Sequence, residues 1–356
     1  MHRIVHELGS SGISAKLIVV LNGASEAEAR ADFGLLRELA PDVDILWVES
    51  EAARTLIDQV EHCFAVRPNG GKGLACWLGL GYLLHCTNSQ AVALQDADVE
   101  SFTVDMPARL FLPVIHPRRE FDIAKAYYAR VGDRLYGRLT RQFFSPFVHA
   151  LRSLFPDSAF TALLSELRYP LSGEVAVSRD FAWKCRIPSG WSIEIGTIWD
   201  IQSAGLLSRM CQVDIADDYR HRHHPIASDD PNQQTLQSMA TEIGADLLSM
   251  LAREGNLLTP WQQKAFLARY DQCAHSLQRA YCQDAILNGL DWREHDEESA
   301  VREFRAAVEM AIRRFRGNPV LGLTLPPWGS VTQMLPCASR LLIEACLVPG
   351  AMSCAA

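Results

Sequence analysis

The chain has 356 residues, 34 Lys and Arg against 42 Asp and Glu for a formal charge of −8, and 48% apolar residues. Length and composition fit one large or two ordinary globular domains and exclude disorder or a collagen-like repeat. An acidic chain lacks the positive field of a sequence-independent nucleic-acid binder, so any anionic ligand must meet a local basic patch.

The longest apolar stretch, Leu74 to Leu84, is broken by Gly79 and Gly81 and falls far short of the roughly 20 residues of a membrane span. The run Leu17 to Leu21 is too short for a secretory signal. The chain therefore reads as cytoplasmic, with neither membrane nor nucleic acid as partner. Its ten cysteines contain no C-x-x-C pair and are expected to be reduced, buried thiols.

Short β-branched runs alternate with amphipathic stretches through the first two-thirds. Strands are expected at Ala15–Leu21, Asp44–Val48 and Gln90–Leu94, and helices at Ser25–Leu39 and Lys72–Leu84. The alternation predicts an α/β domain with a mostly parallel sheet over residues 1–224. Beyond Pro225 the pattern becomes helical: Asp230-Pro231 and Thr259-Pro260 each combine a cap with a first-turn proline, and a third helix is expected from about Glu294 to Phe315. Residues 225–356 therefore read as a helical C-terminal subdomain.

Asp96-Ala97-Asp98 follows the apolar run Ala91–Leu94, which places two carboxylates at the carboxyl end of a strand, where α/β sheets bind ligands. Such a pair suits a divalent cation bridging a diphosphate. A D-x-D string is weak evidence by itself: Asp42-Val43-Asp44 has the same form but precedes its strand and reads as a solvated loop. Asn69-Gly70-Gly71-Lys72-Gly73 is not a P-loop, because Val66 replaces the first glycine and Gly73 the magnesium-binding Ser or Thr. It reads as a turn presenting one lysine ahead of a helix. Arg220-His221-Arg222-His223-His224 offers metal-ligating imidazoles among guanidiniums. Between Arg118 and Arg141 there are seven basic and three acidic residues, and Gly137-Arg138-Leu139-Thr140 within that run has the groups of a phosphate pocket.

In order along the chain, several strings resemble the glucosyl-3-phosphoglycerate synthases, retaining glycosyltransferases of the GT-A type. They are Gly71-Lys72-Gly73 leading to Trp77, Leu94 to Asp98, Lys125 to Arg130, Gly137 to Thr140, Tyr169 to Glu174, Trp191 to Gly196, Gln212 to Ile215 and Tyr219 to Pro225. The resemblance implies a Rossmann-like nucleotide-sugar domain followed by the helical subdomain, UDP-glucose as donor, 3-phosphoglycerate as acceptor, Mg²⁺ or Mn²⁺, and a homodimer. By position, Asp96 and Asp98 resemble the pair that contacts donor and cation, with His221 as third metal ligand and Lys72 as the donor-binding lysine. Leu171 and Gly173 fall in the turn approaching the transferred sugar, and Glu194 matches the carboxylate contacting sugar or acceptor. Asp98, Glu194 and Lys72 are thereby the catalytic candidates. Gly137, Arg138 and Thr140 match the loop holding the acceptor phosphate, with His223 beside it. The family's first strand, which ends in the uridine-binding loop, has no counterpart: Met1 to Leu8 resembles the helix after it. An exposed sheet edge and poor donor binding are expected consequences. Mannose transfer, another phosphorylated acceptor, or a non-catalytic relic are the alternatives.

Overall fold

The computed structural model describes residues 1–13, 15–66, 68, 70–118, 120–221, 225–228, 235–318 and 324–347. It opens with α1 (His2–Ser10), β1 (Ile18–Leu21), α2 (Glu26–Leu39), β2 (Asp44–Trp47), α3 (Glu51–Phe64) and α4 (Lys72–Cys86). Ser25 starts α2 through a capping box: its hydroxyl accepts the Glu28 amide while the Glu28 carboxylate accepts the Ser25 amide. There follow β3 (Ala91–Leu94), α5 (Asp105–Ile115), β4 (Ile123–Tyr127), a π-helical turn (Leu139–Phe144), α6 (Ser145–Leu154) and α7 (Ala159–Glu166). Then come β5 (Val175–Ser178), α8 (Arg179–Lys184), β6 (Ile187–Pro188), α9 (Ile193–Ser203) and β7 (Met210–Asp214).

The α/β class is as expected, but the sheet is mixed rather than mostly parallel. β1 and β2 pair in parallel; in the four-stranded order β3-β5-β4-β7, β5 runs against both neighbours and only β4 and β7 are parallel. The reason lies in the long excursion between β4 and β5. The chain returns at the end where β4 left, with the Ala126 amide donating to the Glu174 carbonyl at 3.0 Å, so β5 can only run backwards.

The helical part contains α10 (Leu236–Arg253), α11 (Pro260–Leu287) and α12 (Glu294–Gly317). Thr259 and Gln262 cap α11 reciprocally, with Pro260 in its first turn. The expected Asp230-Pro231 start lies outside the described residues. β8 (Thr324–Leu325), α13 (Trp328–Met334) and α14 (Ala338–Glu344) then return to the first half of the chain. β8 pairs with β6, and Trp328 stacks on Trp77 of α4 at 4.2 Å between ring centroids. Each indole N–H donates to a carbonyl, Trp77 to Pro326 at 2.9 Å and Trp328 to Trp77 at 2.8 Å. Gly81 leaves the space that the Trp328 ring fills.

Among the described residues β1 pairs only with β2, and β3 only with β5. Ile18–Val20 of β1 and Val92–Leu94 of β3 line a mostly apolar slot of ≈ 430 Å³. On one side lie Leu80 and Leu83 of α4; on the other lies α1, which packs Ile4 against the four-stranded sheet and Val5 against β1 and β2. Among the described residues no helix is long and apolar enough to cross a membrane. The nine described cysteines are free thiols, but only Cys185 is buried and Cys63 and Cys86 are exposed, so the expectation of buried thiols holds for one.

Candidate active site

β3 ends at Leu94, so Asp96 and Asp98 leave its carboxyl end opposite the start of α4 at Lys72. Gly73 has no side chain because the Pro188–Ser189 backbone passes where a Cβ would lie. The Gly73 and Leu74 amides donate to the carbonyls of Gly190 (3.2 Å) and Ser189 (2.8 Å). The first amides of the helix are thus already used, and Lys72 acts through its side chain rather than as part of an anion cradle.

Lys72 Nζ stands 2.7 Å from Asp96 Oδ1 and 2.9 Å from Glu194 Oε1. Burial alone would lower its pKa, but the two carboxylates outweigh burial and hold it well above the ordinary lysine value. Burial likewise opposes ionisation of Asp96, and Lys72 more than offsets it, keeping that carboxyl below its usual range. The Gly173 turn presses against this pair: a Cβ there would fall 2.5 Å from Lys72 Nζ and from each Asp96 oxygen. Leu171 lines the same space.

His221 is brought in by a short antiparallel bridge to Val99, beside which the Glu100 amide donates to the Arg220 carbonyl at 2.7 Å. Its Nδ1 lies 3.8 Å from Asp98 Oδ2, and its Nε2 meets the Arg130 guanidinium. The expected trio of metal ligands is therefore not drawn together: Asp98 and His221 approach each other while Asp96 is turned to Lys72. Among the described residues no three His, Cys, Asp or Glu side chains form a metal cage. An open set of carboxylate and imidazole donors still fits Mg²⁺ or Mn²⁺, which take further positions from diphosphate oxygens and water.

The opposite wall is the turn before the π-helical segment. Gly137 adopts φ +72°, a left-handed conformation that favours glycine. Its carbonyl accepts the Arg141 amide at 2.9 Å, and Arg138 and Thr140 line the space beyond. One cleft of ≈ 930 Å³ is lined by every candidate named from the sequence except Gly173, which lies behind Asp96, and His223, which is outside the described residues.

Two buried groups had been given no role. Lys125 donates to the carbonyl and hydroxyl of Ser172 at 2.9 and 3.1 Å, and burial lowers its pKa to about 8. Glu174 accepts from Tyr128 at 3.0 Å, from Gln95 at 3.3 Å and from Tyr219, whose ring stacks on Tyr128 at 3.5 Å. Burial and the Asp96 charge raise its pKa to about 7. The sequence signal for Lys125 is a lysine inside an otherwise apolar strand; Glu174 gave none beyond its place in the Tyr169–Glu174 string.

No family model matches the chain. A glucosyl-3-phosphoglycerate synthase from Persephonella marina is 31% identical over 345 residues, spanning 97% of this chain and 85% of that protein. The chain belongs to the glucosyl-3-phosphoglycerate synthase family. A crystal structure of a mycobacterial protein, 20% identical, superposes with a TM-score of 0.50 over 70% of this chain and 71% of its own, which shows a shared fold. The Mycobacterium tuberculosis synthase solved with Mn²⁺, UDP-glucose and phosphoglyceric acid is 23% identical, with a TM-score of 0.43 over 69% of this chain and 82% of its own. Asp96–Asp98 and Gly137–Thr140 of the present chain line one cleft.

Proposed function

We propose that this chain transfers glucose from UDP-glucose to the free hydroxyl of 3-phosphoglycerate with retention at the anomeric carbon. The observation that carries the reading is the pairing of two walls in one cleft: Lys72, Asp96, Asp98 and His221 on one side, and Gly137, Arg138 and Thr140 on the other. The first wall suits a diphosphate with its cation, the second an acceptor's phosphate.

Asp98 and His221, with Asp96 beside them, would hold Mg²⁺ or Mn²⁺, which when bound offsets the negative charge of a departing diphosphate. Lys72 is kept charged by its two carboxylates and contributes the same stabilisation from the protein side. Glu194 faces the sugar, and the Leu171–Gly173 turn packs the donor against Asp96. Asp96 and Glu194 are both engaged by Lys72, and in this reading attack comes from the face of the leaving group. The C1–diphosphate bond breaks with its electron pair going to UDP, the acceptor oxygen bonds to C1, and the hydroxyl proton passes to the departing phosphate oxygen.

The same reading makes residues 1–224 the nucleotide-sugar domain and 225–356 the helical subdomain, with 324–347 crossing back, in a cytoplasmic homodimer. Met1 lines both the slot between β1 and β3 and the cleft, so the two spaces adjoin.

The test follows UDP release from UDP-glucose with Mn²⁺, with and without 3-phosphoglycerate. Acceptor-dependent release supports the reading; GDP-mannose as the better donor would replace glucose by mannose. Calorimetry of UDP-glucose with this chain tests donor recognition directly: tight binding supports the reading, and no binding would favour the relic.

A further inference from the structure

The acceptor wall is anchored from the far end of the sequence. Glu297, in the first turn of α12, is buried, and so are Arg141 and Gln142 of the π-helical turn. Arg141 is fully engaged: Nε donates to the Tyr136 carbonyl and Nη2 to that of Leu135, both at 2.9 Å, while Nη1 and Nη2 each reach Glu297 Oε2 at 3.2 Å. Its plane also lies 5.0 Å over the Tyr281 ring of α11. The Gln142 amide donates to the same carboxylate. Arg138 approaches differently, by an ion pair whose nearest atoms are its Nε and Glu297 Oε1, 3.5 Å apart. Among the described residues Glu297 is the carboxylate that Arg138 pairs with.

Two guanidiniums against one carboxylate leave one positive charge in excess, and geometry decides which arginine presents it. Arg141 is closed off by carbonyls and by Glu297, so the excess belongs to Arg138, whose side chain is 28% exposed at the cleft. The ion pair draws the Arg138 guanidinium toward Glu297 at this wall, and its exposed part can meet an anion in the cleft. Ordering that long side chain beforehand removes an entropic cost from ligand binding.

We propose that Glu297 is a positioning residue for the acceptor: it orients Arg138 toward the acceptor's phosphate, so that helix α12 of the C-terminal part sets acceptor affinity. The proposal rests on the reading of Gly137–Thr140 as the phosphate-holding loop.

Calorimetry of 3-phosphoglycerate and of UDP-glucose, each with Mn²⁺ present, tests it on the full chain without requiring turnover. Glu297→Gln keeps the shape and removes the charge; it is expected to weaken 3-phosphoglycerate binding about tenfold and to leave UDP-glucose binding within about twofold. Arg138→Ala is expected to weaken 3-phosphoglycerate at least as much, and the double variant no more than Arg138→Ala alone, because Glu297 acts through Arg138. Unchanged acceptor affinity in Glu297→Gln, equal weakening of both ligands, or additive losses in the double variant would each overturn the proposal. Unchanged acceptor binding in Arg138→Ala would instead overturn the reading of the loop itself. Should Glu297→Gln not fold, Glu297→Asp, which keeps the charge and withdraws it by one methylene, carries the same comparison.

Discussion

Gly173 and Asp96 are packed so closely that a Cβ at position 173 would fall 2.5 Å from each oxygen of the carboxylate. The absence of a side chain there therefore follows from space rather than backbone conformation, since Gly173 is not among the glycines with positive φ. Gly173→Ala must displace the Asp96–Lys72 ion pair from the cleft. A loss of at least about tenfold in UDP-glucose affinity is expected, with a change of only a few degrees in Tm. Calorimetry beside thermal melts checks it; unchanged donor affinity would mean that the turn yields instead.

Asp98 is 37% exposed at its side chain and spends little on the fold. Asp98→Ala should abolish transfer while leaving Tm within about 2 °C, because surface substitutions outside special features cost about 0.5 kcal/mol or less. His221→Ala should raise the Mn²⁺ concentration for half-maximal UDP release by about tenfold or more, as expected for loss of a ligand. Equal Mn²⁺ requirements in the variant and the parent would remove His221 from the cation's shell.

Glu174 ties Gln95, next to the aspartate pair, to Tyr219, two residues from His221. Burial and the Asp96 charge raise its folded pKa to about 7, above the ordinary glutamate range, so the fold favours the protonated acid. Its contribution to stability is fully present below the unfolded value and is lost as pH rises through 7. Glu174→Gln mimics the neutral form. Melts from pH 5 to 8 are expected to show the parent losing stability relative to the variant as pH rises; parallel curves would show that Glu174 stays ionised throughout.

Local signals were legible in the sequence, and long-range partnerships were not. The helix expected over Ser25–Leu39 and the cap with first-turn proline expected at Thr259-Pro260 both form where expected. The direction of β5 depends on where a long excursion re-enters the sheet, which no local pattern encodes. Asp44, read as a solvated loop carboxylate, in fact accepts the Tyr82 hydroxyl at 2.7 Å and pairs with Lys16 at 2.9 Å. The D-x-D strand end and the phosphate-type turn were visible as strings. Their meeting across one cleft, and the anchoring of Arg138 by Glu297 from α12, exist only in the folded chain.

The slot between β1 and β3 gives this molecule a seam through its middle. No ladder hydrogen bond among the described residues crosses it, so the two plates β1-β2 and β3-β5-β4-β7 are joined through the packing of α1, α4 and the C-terminal segment around α14. Separating them breaks apolar packing but no backbone pairing, and such units open as separate cooperative blocks. The amides facing the seam then exchange with solvent sooner than those between β4 and β5. Lys72, at the head of α4, and Asp96, at the end of β3, both line that slot and pair across it; an opening in which α4 stays with β1 is expected to stretch their ion pair, and so to tie donor-site order to closure of the seam.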